Sequence, residues 1–296
     1  MSRNNRHRPG LRNRGGVPFL ILKGHFIVRQ NQMPDGDTLA FAAARDFDAG
    51  PVRTNVPVDE SGDTSVNIRL QSIDAPEKTQ PLGAACRDAL LTQFGFDAQT
   101  LGLSNTDFKA NGGPHLKEGW LATHGMDGNR RPLGYLFAKD PGFNHGEIVS
   151  AADVGTILDR CANYEQAAKG WSYPAFYENT DESHAAQFQA VSEKARDEQL
   201  GVWEHDATTT GFIPTKAETD KDGSLVYPKF YRRILDWPRQ TPDAGAFIQW
   251  LRQQNDGRKL VAGAQASPVP LWELFEELDD QTVVVPYDVT RLWFSE

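Results

Sequence analysis

The chain has 296 residues, 39% of them hydrophobic and 24% charged, a balance that supports the packed core of one large or two smaller domains. Its formal net charge of −9 excludes a protein that coats nucleic acid by bulk electrostatics, but not one that grips a few phosphates locally. No run approaches the roughly 18 to 20 apolar residues a membrane helix needs. The early apolar stretch 17–22 is too short for a secretory core, so the expectation is a cytoplasmic protein with no membrane partner.

Residues 1–16 hold Arg3, Arg6, Arg8, Arg12 and Arg14 among Asn and Gly, and read as a disordered arm that either contacts phosphates or an acidic partner or merely solubilises. Residues 19–29 and 38–44 are expected strands around the turn signal Met33-Pro34-Asp35-Gly36-Asp37. Residues 46–64 are polar, with Gly and Pro, and read as a loop or a loose hairpin. In the third strand, 66–73, Val66, Ile68 and Leu70 point one way and Asn67, Arg69 and Gln71 the other. A helix is expected over 83–94, strands over 119–124 and 133–138, and helices over 152–169 and 184–199, the last with Phe188, Val191 and Ala195 on one stripe.

Beyond Asp206 the run Thr208-Thr209-Thr210-Gly211 begins a linker-like stretch, followed by helical patterns at 243–254 and 271–278 and a short strand at 282–286. The expected organisation is therefore an arm (1–16), a main domain (17–206) and a small C-terminal α/β module (207–296). Trp250, Trp272, Phe275 and Trp293 are either that module's own core or a surface for a protein partner. Cys86 and Cys161, far apart, read as free, partly buried thiols, with a disulfide between them as the alternative. The 7 histidines show no zinc-ligand spacing.

Four stretches carry the chemistry. Asp35-Gly36-Asp37-Thr38 is by itself an ordinary turn. The segment from Ile68 to Glu77 puts Arg69 on a strand and Asp74 and Glu77 at its exit; alone it reads as a strand running into a helix cap. Asp127 to Tyr135 is a basic hairpin loop containing Arg130 and Arg131. Glu198 to Trp203 is a helix end whose Trp packs on the domain.

Taken in this order, the four stretches resemble the staphylococcal nuclease family, with its D-G-D-T, R-L-x-x-[IV]-D-x-P-E, D-x-x-x-R-x-L-x-Y and L-G-[VI]-W motifs. The resemblance spans roughly residues 19–205. It implies an α+β chain built on an OB-fold, a five-stranded β-barrel carrying three helices. It further implies a calcium-dependent endonuclease that cuts DNA and RNA with weak base preference and leaves 3′-phosphate ends. In that family's pattern Asp37, Asp74 and the carbonyl of Ala75 hold Ca²⁺, Glu77 serves as general base, and Arg69 and Arg131 bind the scissile phosphate. Ala75 stands where the family carries Thr, and Asn129 where it carries Tyr. Tyr173 and Tyr177 are candidates to stack a base, or else part of the packing. Asn163 is expected to be a buried hydrogen-bonding residue. An all-oxygen donor set suits a hard ion such as Ca²⁺ better than Zn²⁺.

Overall fold

The computed structural model describes residues 16–254, 259–262 and 269–295; the expected arm at 1–15 lies outside the described residues. Five strands close a barrel: β1 (Phe19–Val28), β2 (Thr38–Ala43), β3 (Val66–Leu70), β4 (His115–Met126) and β5 (Pro132–Phe137). They are joined in the order β2-β3-β5-β4-β1, and β1 pairs back onto β2. Every pairing is antiparallel except β3 with β5. The barrel with its surrounding helices is an α+β arrangement, compatible with an OB-like fold.

The burial pattern explains the composition of the strands. All residues of β2 and β5 are buried, because one face fills the barrel and the other is covered. β3 is buried only at alternate positions, as its alternating sequence anticipates. Leu22, Phe26, Leu39, Phe41, Ile68 and Leu136 fill the core together with Leu90 and Leu91 of helix α1 (Gly83–Gln93), Ala162 of α2 (Ala162–Ala168) and Phe188 of α3 (Glu182–Asp197).

The single helix expected over 152–169 is broken into Ala151–Gly155, a 3-10 turn Leu158–Arg160, and α2. Gly155 and the β-branched Thr156 and Ile157 are weak helix formers, and the Cys161 sulfur accepts the Tyr164 N–H at 3.4 Å to start α2 afresh. Asn163 is buried: its Oδ1 accepts the Leu136 N–H at 3.0 Å, and its Nδ2 donates to the Gln71 and Gly134 carbonyls at 2.9 and 3.0 Å, tying α2 to two barrel strands. Both cysteines are buried free thiols.

His124, on β4, sits under Phe19 with ring centroids 4.7 Å apart. Burial, with the nearby His184 adding to it, pulls its imidazole down to about 4. The unfolded chain therefore binds a proton near pH 6.5 that the folded chain refuses until pH 4. This contribution to stability is complete above pH 6.5 and fades as pH falls to 4, by about 3 kcal/mol in all. Chemical denaturation at stepped pH should show a shallower acid loss in His124→Gln than in the parent; identical slopes would remove His124 as the cause.

The C-terminal segment does not fold away from the barrel. Its helices α4 (Pro228–Asp236) and α5 (Ala244–Gln253) contribute Phe230, Ile234, Trp237 and Phe247 to a second core, which also takes in Ala75, Cys86, Tyr173, Val202 and Trp203 from the N-terminal side of residue 206. Strand Leu292–Phe294 pairs in parallel with Phe176–Tyr177. The helix expected at 271–278 is a 3-10 turn, Leu271–Leu274, followed by a strand, Glu276–Glu277, paired with Val283–Val284. Phe275 is buried in the second core, Trp250 and Trp272 pack against it, and Trp293 packs against the barrel core, so all four serve packing. Among the described residues no helix is long and apolar enough to cross a membrane.

Candidate active site

The turn between β1 and β2 brings Asp35 and Asp37 to one end of the barrel. Its central glycine is required by a close approach: a Cβ at Gly36 would lie 2.6 Å from the Ala75 Cβ and 2.9 Å from that of Cys86. The turn is thus pressed against the segment that carries Asp74. The Asp37 side chain accepts the Ala75 N–H at 2.9 Å through Oδ2, and its backbone carbonyl accepts the Leu70 N–H at 2.9 Å.

On a regular strand, residues five apart face opposite sides. Arg69 and Asp74 nevertheless meet, Nη2 to Oδ1 at 2.8 Å. Ser72 adopts a left-handed backbone, φ 67°, which ends β3 and resets the alternation before Ile73 and Asp74. The expected continuous strand 66–73 is therefore two pieces, and this break brings the two side chains together, Arg69 in the wall of a cavity and Asp74 fully buried beside it. That cavity has a volume of about 600 Å³ and is lined by Asp35, Asp37, Arg69, Glu77, Arg131, Tyr177, Lys229 and Arg232, among others.

Arg69 is the hub. Its guanidinium, 11% exposed, pairs with Asp37 through Nη1 and with Asp74 through Nη2. Arg232 of α4 approaches from the other side, with Nη2 2.6 Å from Asp74 Oδ2 and Nη1 2.7 Å from Glu77 Oε1. Burial disfavours a charge on Asp74, yet Arg232 and Arg69 together hold its carboxyl well below the usual range. Asp35 is in the opposite condition. Desolvation in the cavity wall, with the charges of Asp37 and Glu77 nearby, pushes its carboxyl up to about 7.

The turn that carries Glu77 is fastened to the C-terminal segment. Gln80 Nε2 donates to the Val226 carbonyl at 2.7 Å, and the Thr79 and Tyr231 hydroxyls lie 2.9 Å apart. α4 was not anticipated from the sequence, although its signals are present. Pro228 stands in the first turn, Phe230, Tyr231 and Ile234 recur at helical spacing, and Pro238 follows the end.

Arg131 lines the cavity and Arg130 does not, in keeping with the choice between them. Arg131 faces Asp127, which accepts its Nε at 2.8 Å and its backbone N–H at 2.8 Å; it contacts neither Asp37 nor Asp74. Tyr177 lines the cavity. Tyr173 does not: it is completely buried, its hydroxyl donates to Asp206 at 2.9 Å, and Trp203 and Tyr227 meet its ring edge-on. Tyr173 is thereby a core residue, removed from any substrate.

Among the described residues no three His, Cys, Asp or Glu side chains converge as a metal site. The smaller set expected here, two carboxylates and the Ala75 carbonyl completed by water, is matched in donor type. Asp37 and Asp74 lie close enough to be bridged by one guanidinium, and all their donors are hard oxygens. A scan against protein-family models and a search of curated proteins each found no match to this chain.

Proposed function

We propose that this protein is a calcium-dependent endonuclease of DNA and RNA, built on a barrel like that of staphylococcal nuclease. One observation carries the reading: Asp37 and Asp74, from separate segments, meet across Arg69, and Asp37 and Arg69 line a cavity together with Glu77 and Arg131. Structural ion pairs account for two carboxylates and a guanidinium. They do not account for the desolvated Asp35 in the wall of the same cavity.

Asp37, Asp74 and the Ala75 carbonyl would hold the ion. Ca²⁺, when bound, offsets charge on a phosphate oxygen and acidifies coordinated water. Glu77 takes the proton of the attacking water, whose oxygen bonds to phosphorus as the bond to the 5′ oxygen breaks, leaving a 3′-phosphate and a 5′-hydroxyl. Arg69 and Arg131 donate to the phosphate oxygens as charge builds on them. Arg232 is a positioning residue, fixing the Glu77 carboxylate from behind. No base edge is read in this scheme, which suits weak sequence preference.

The test is cleavage of plasmid, single-stranded DNA and RNA by purified protein across a panel of divalent ions. Calcium should activate, a chelator should stop the reaction, and Glu77→Gln should lower the rate by at least about a hundredfold with its melting temperature preserved. A second reading, a barrel that binds nucleic acid without cutting it, is favoured by the full pairing of Asp74 and Glu77 with arginines. Binding without cleavage in every ion would establish that reading and end the first.

A further inference from the structure

Lys229 has no part in the scheme above, yet its ammonium group is built into the same cavity. It is on α4, one turn before Arg232, so the two side chains share a face of that helix. The residue is only 8% exposed and lines the cavity wall. Its Nζ lies over the rings of Phe294 and Tyr177, 4.3 and 4.7 Å from their centroids. Among the described residues no carboxylate makes an ion pair with it and no acceptor takes its protons.

A buried ammonium held only by two ring faces is costly. Burial pulls Lys229 down to about 8, so at neutral pH it is mostly charged and unneutralised. Every other cation of the cavity has an anion of its own: Arg69 has Asp37 and Asp74, Arg131 has Asp127, and Arg232 has Asp74 and Glu77. Among the described residues Lys229 is the cavity cation with no anion against it. Tyr177, over whose ring the ammonium lies, lines the same cavity.

We propose that Lys229 is a second phosphate subsite, supplied by the C-terminal segment, that takes the phosphate next to the scissile one. The favoured ligand is then a single strand presenting two successive phosphates to the cavity, not an isolated phosphodiester. The inference deepens the nuclease reading and rests on it, but it has a readout of its own.

The probes are the thymidine dinucleotide TpT, with one phosphodiester, and its 5′-phosphorylated form pTpT, titrated calorimetrically into calcium-free full-length protein at low salt. The parent should bind pTpT at least about tenfold more tightly than TpT, the range of a charged hydrogen bond. Lys229→Met should abolish that preference while leaving TpT affinity unchanged, and Lys229→Arg should retain most of it. Thermal melts confirm that each variant is folded. If Lys229→Met does not fold, the parent alone decides, since equal affinity for the two dinucleotides overturns the subsite. Equal preference in the parent and in a folded Lys229→Met overturns it as well. Adding calcium to the same mixtures separates the two ideas. Failure to hydrolyse either dinucleotide, with the phosphate preference intact, sinks the nuclease reading and leaves the subsite standing.

Discussion

Arg69→Ala should lose about a hundred- to thousandfold in cleavage rate, the usual consequence of removing one donor to a developing phosphate charge. It should also destabilise the calcium-free protein. Asp37 and Asp74 are 8% and 1% exposed at the side chain, and Arg69 is the group that bridges them. Removing one partner of a buried ion pair costs about 3–5 kcal/mol because the remaining charge is uncompensated. The loss should fall near the lower end, since Asp74 keeps Arg232 and Asp37 keeps the Ala75 N–H. Calcium should then raise the melting temperature of Arg69→Ala more than that of the parent. In the variant the ion would compete only with Arg232 for Asp74; in the parent it would have to displace contacts of Arg69 as well. Differential scanning calorimetry with and without calcium, beside single-turnover cleavage, checks both parts. Full cleavage by the variant would place the active site elsewhere.

Deleting residues 207–296 should abolish cooperative folding of the barrel, not free it. The segment covers Tyr173, Val202 and Trp203, and each large apolar side chain exposed to water costs about 1.5–3 kcal/mol. It also removes the parallel partner of Phe176–Tyr177, the acceptor for Gln80 and the Arg232 contacts to Asp74 and Glu77. Those losses together rival the whole stability of a typical domain, about 5–15 kcal/mol. The truncated chain should aggregate or melt without a sharp transition in circular dichroism. A soluble fragment melting within a few degrees of the full chain would show that the two parts are energetically separate.

The barrel was legible in the sequence because its strands are short apolar runs bounded by turn signals, as in 38–44 and 133–138. Asp37, Arg69, Asp74 and Glu77 were legible because each stands in a short ordered motif, and the structure places Asp37, Arg69 and Glu77 in the wall of one cavity with Asp74 paired to Arg69 beside it. The rest was hidden for physical reasons. The left-handed Ser72 that turns Asp74 toward Arg69 has no local signal, since serine rarely adopts that conformation and is held there by its surroundings. Tyr173 looked available because its burial depends on Trp203 and Tyr227, far along the chain. Arg232 and Lys229 lie in a segment without a motif, and only packing carries them to Asp74, Glu77 and Tyr177. The boundary read at residue 206 followed a change in composition, which packing ignores.

The contact between Arg232 and Asp74 joins groups 158 residues apart in the chain. Contacts of such separation are slow to form, because chain entropy is lost before they give anything back. A chain in which α4 has yet to dock holds Asp74 and Glu77 without the guanidinium that later restrains both. The local sequence supplies these carboxylates early, and their electrostatic setting arrives only with the far end of the chain.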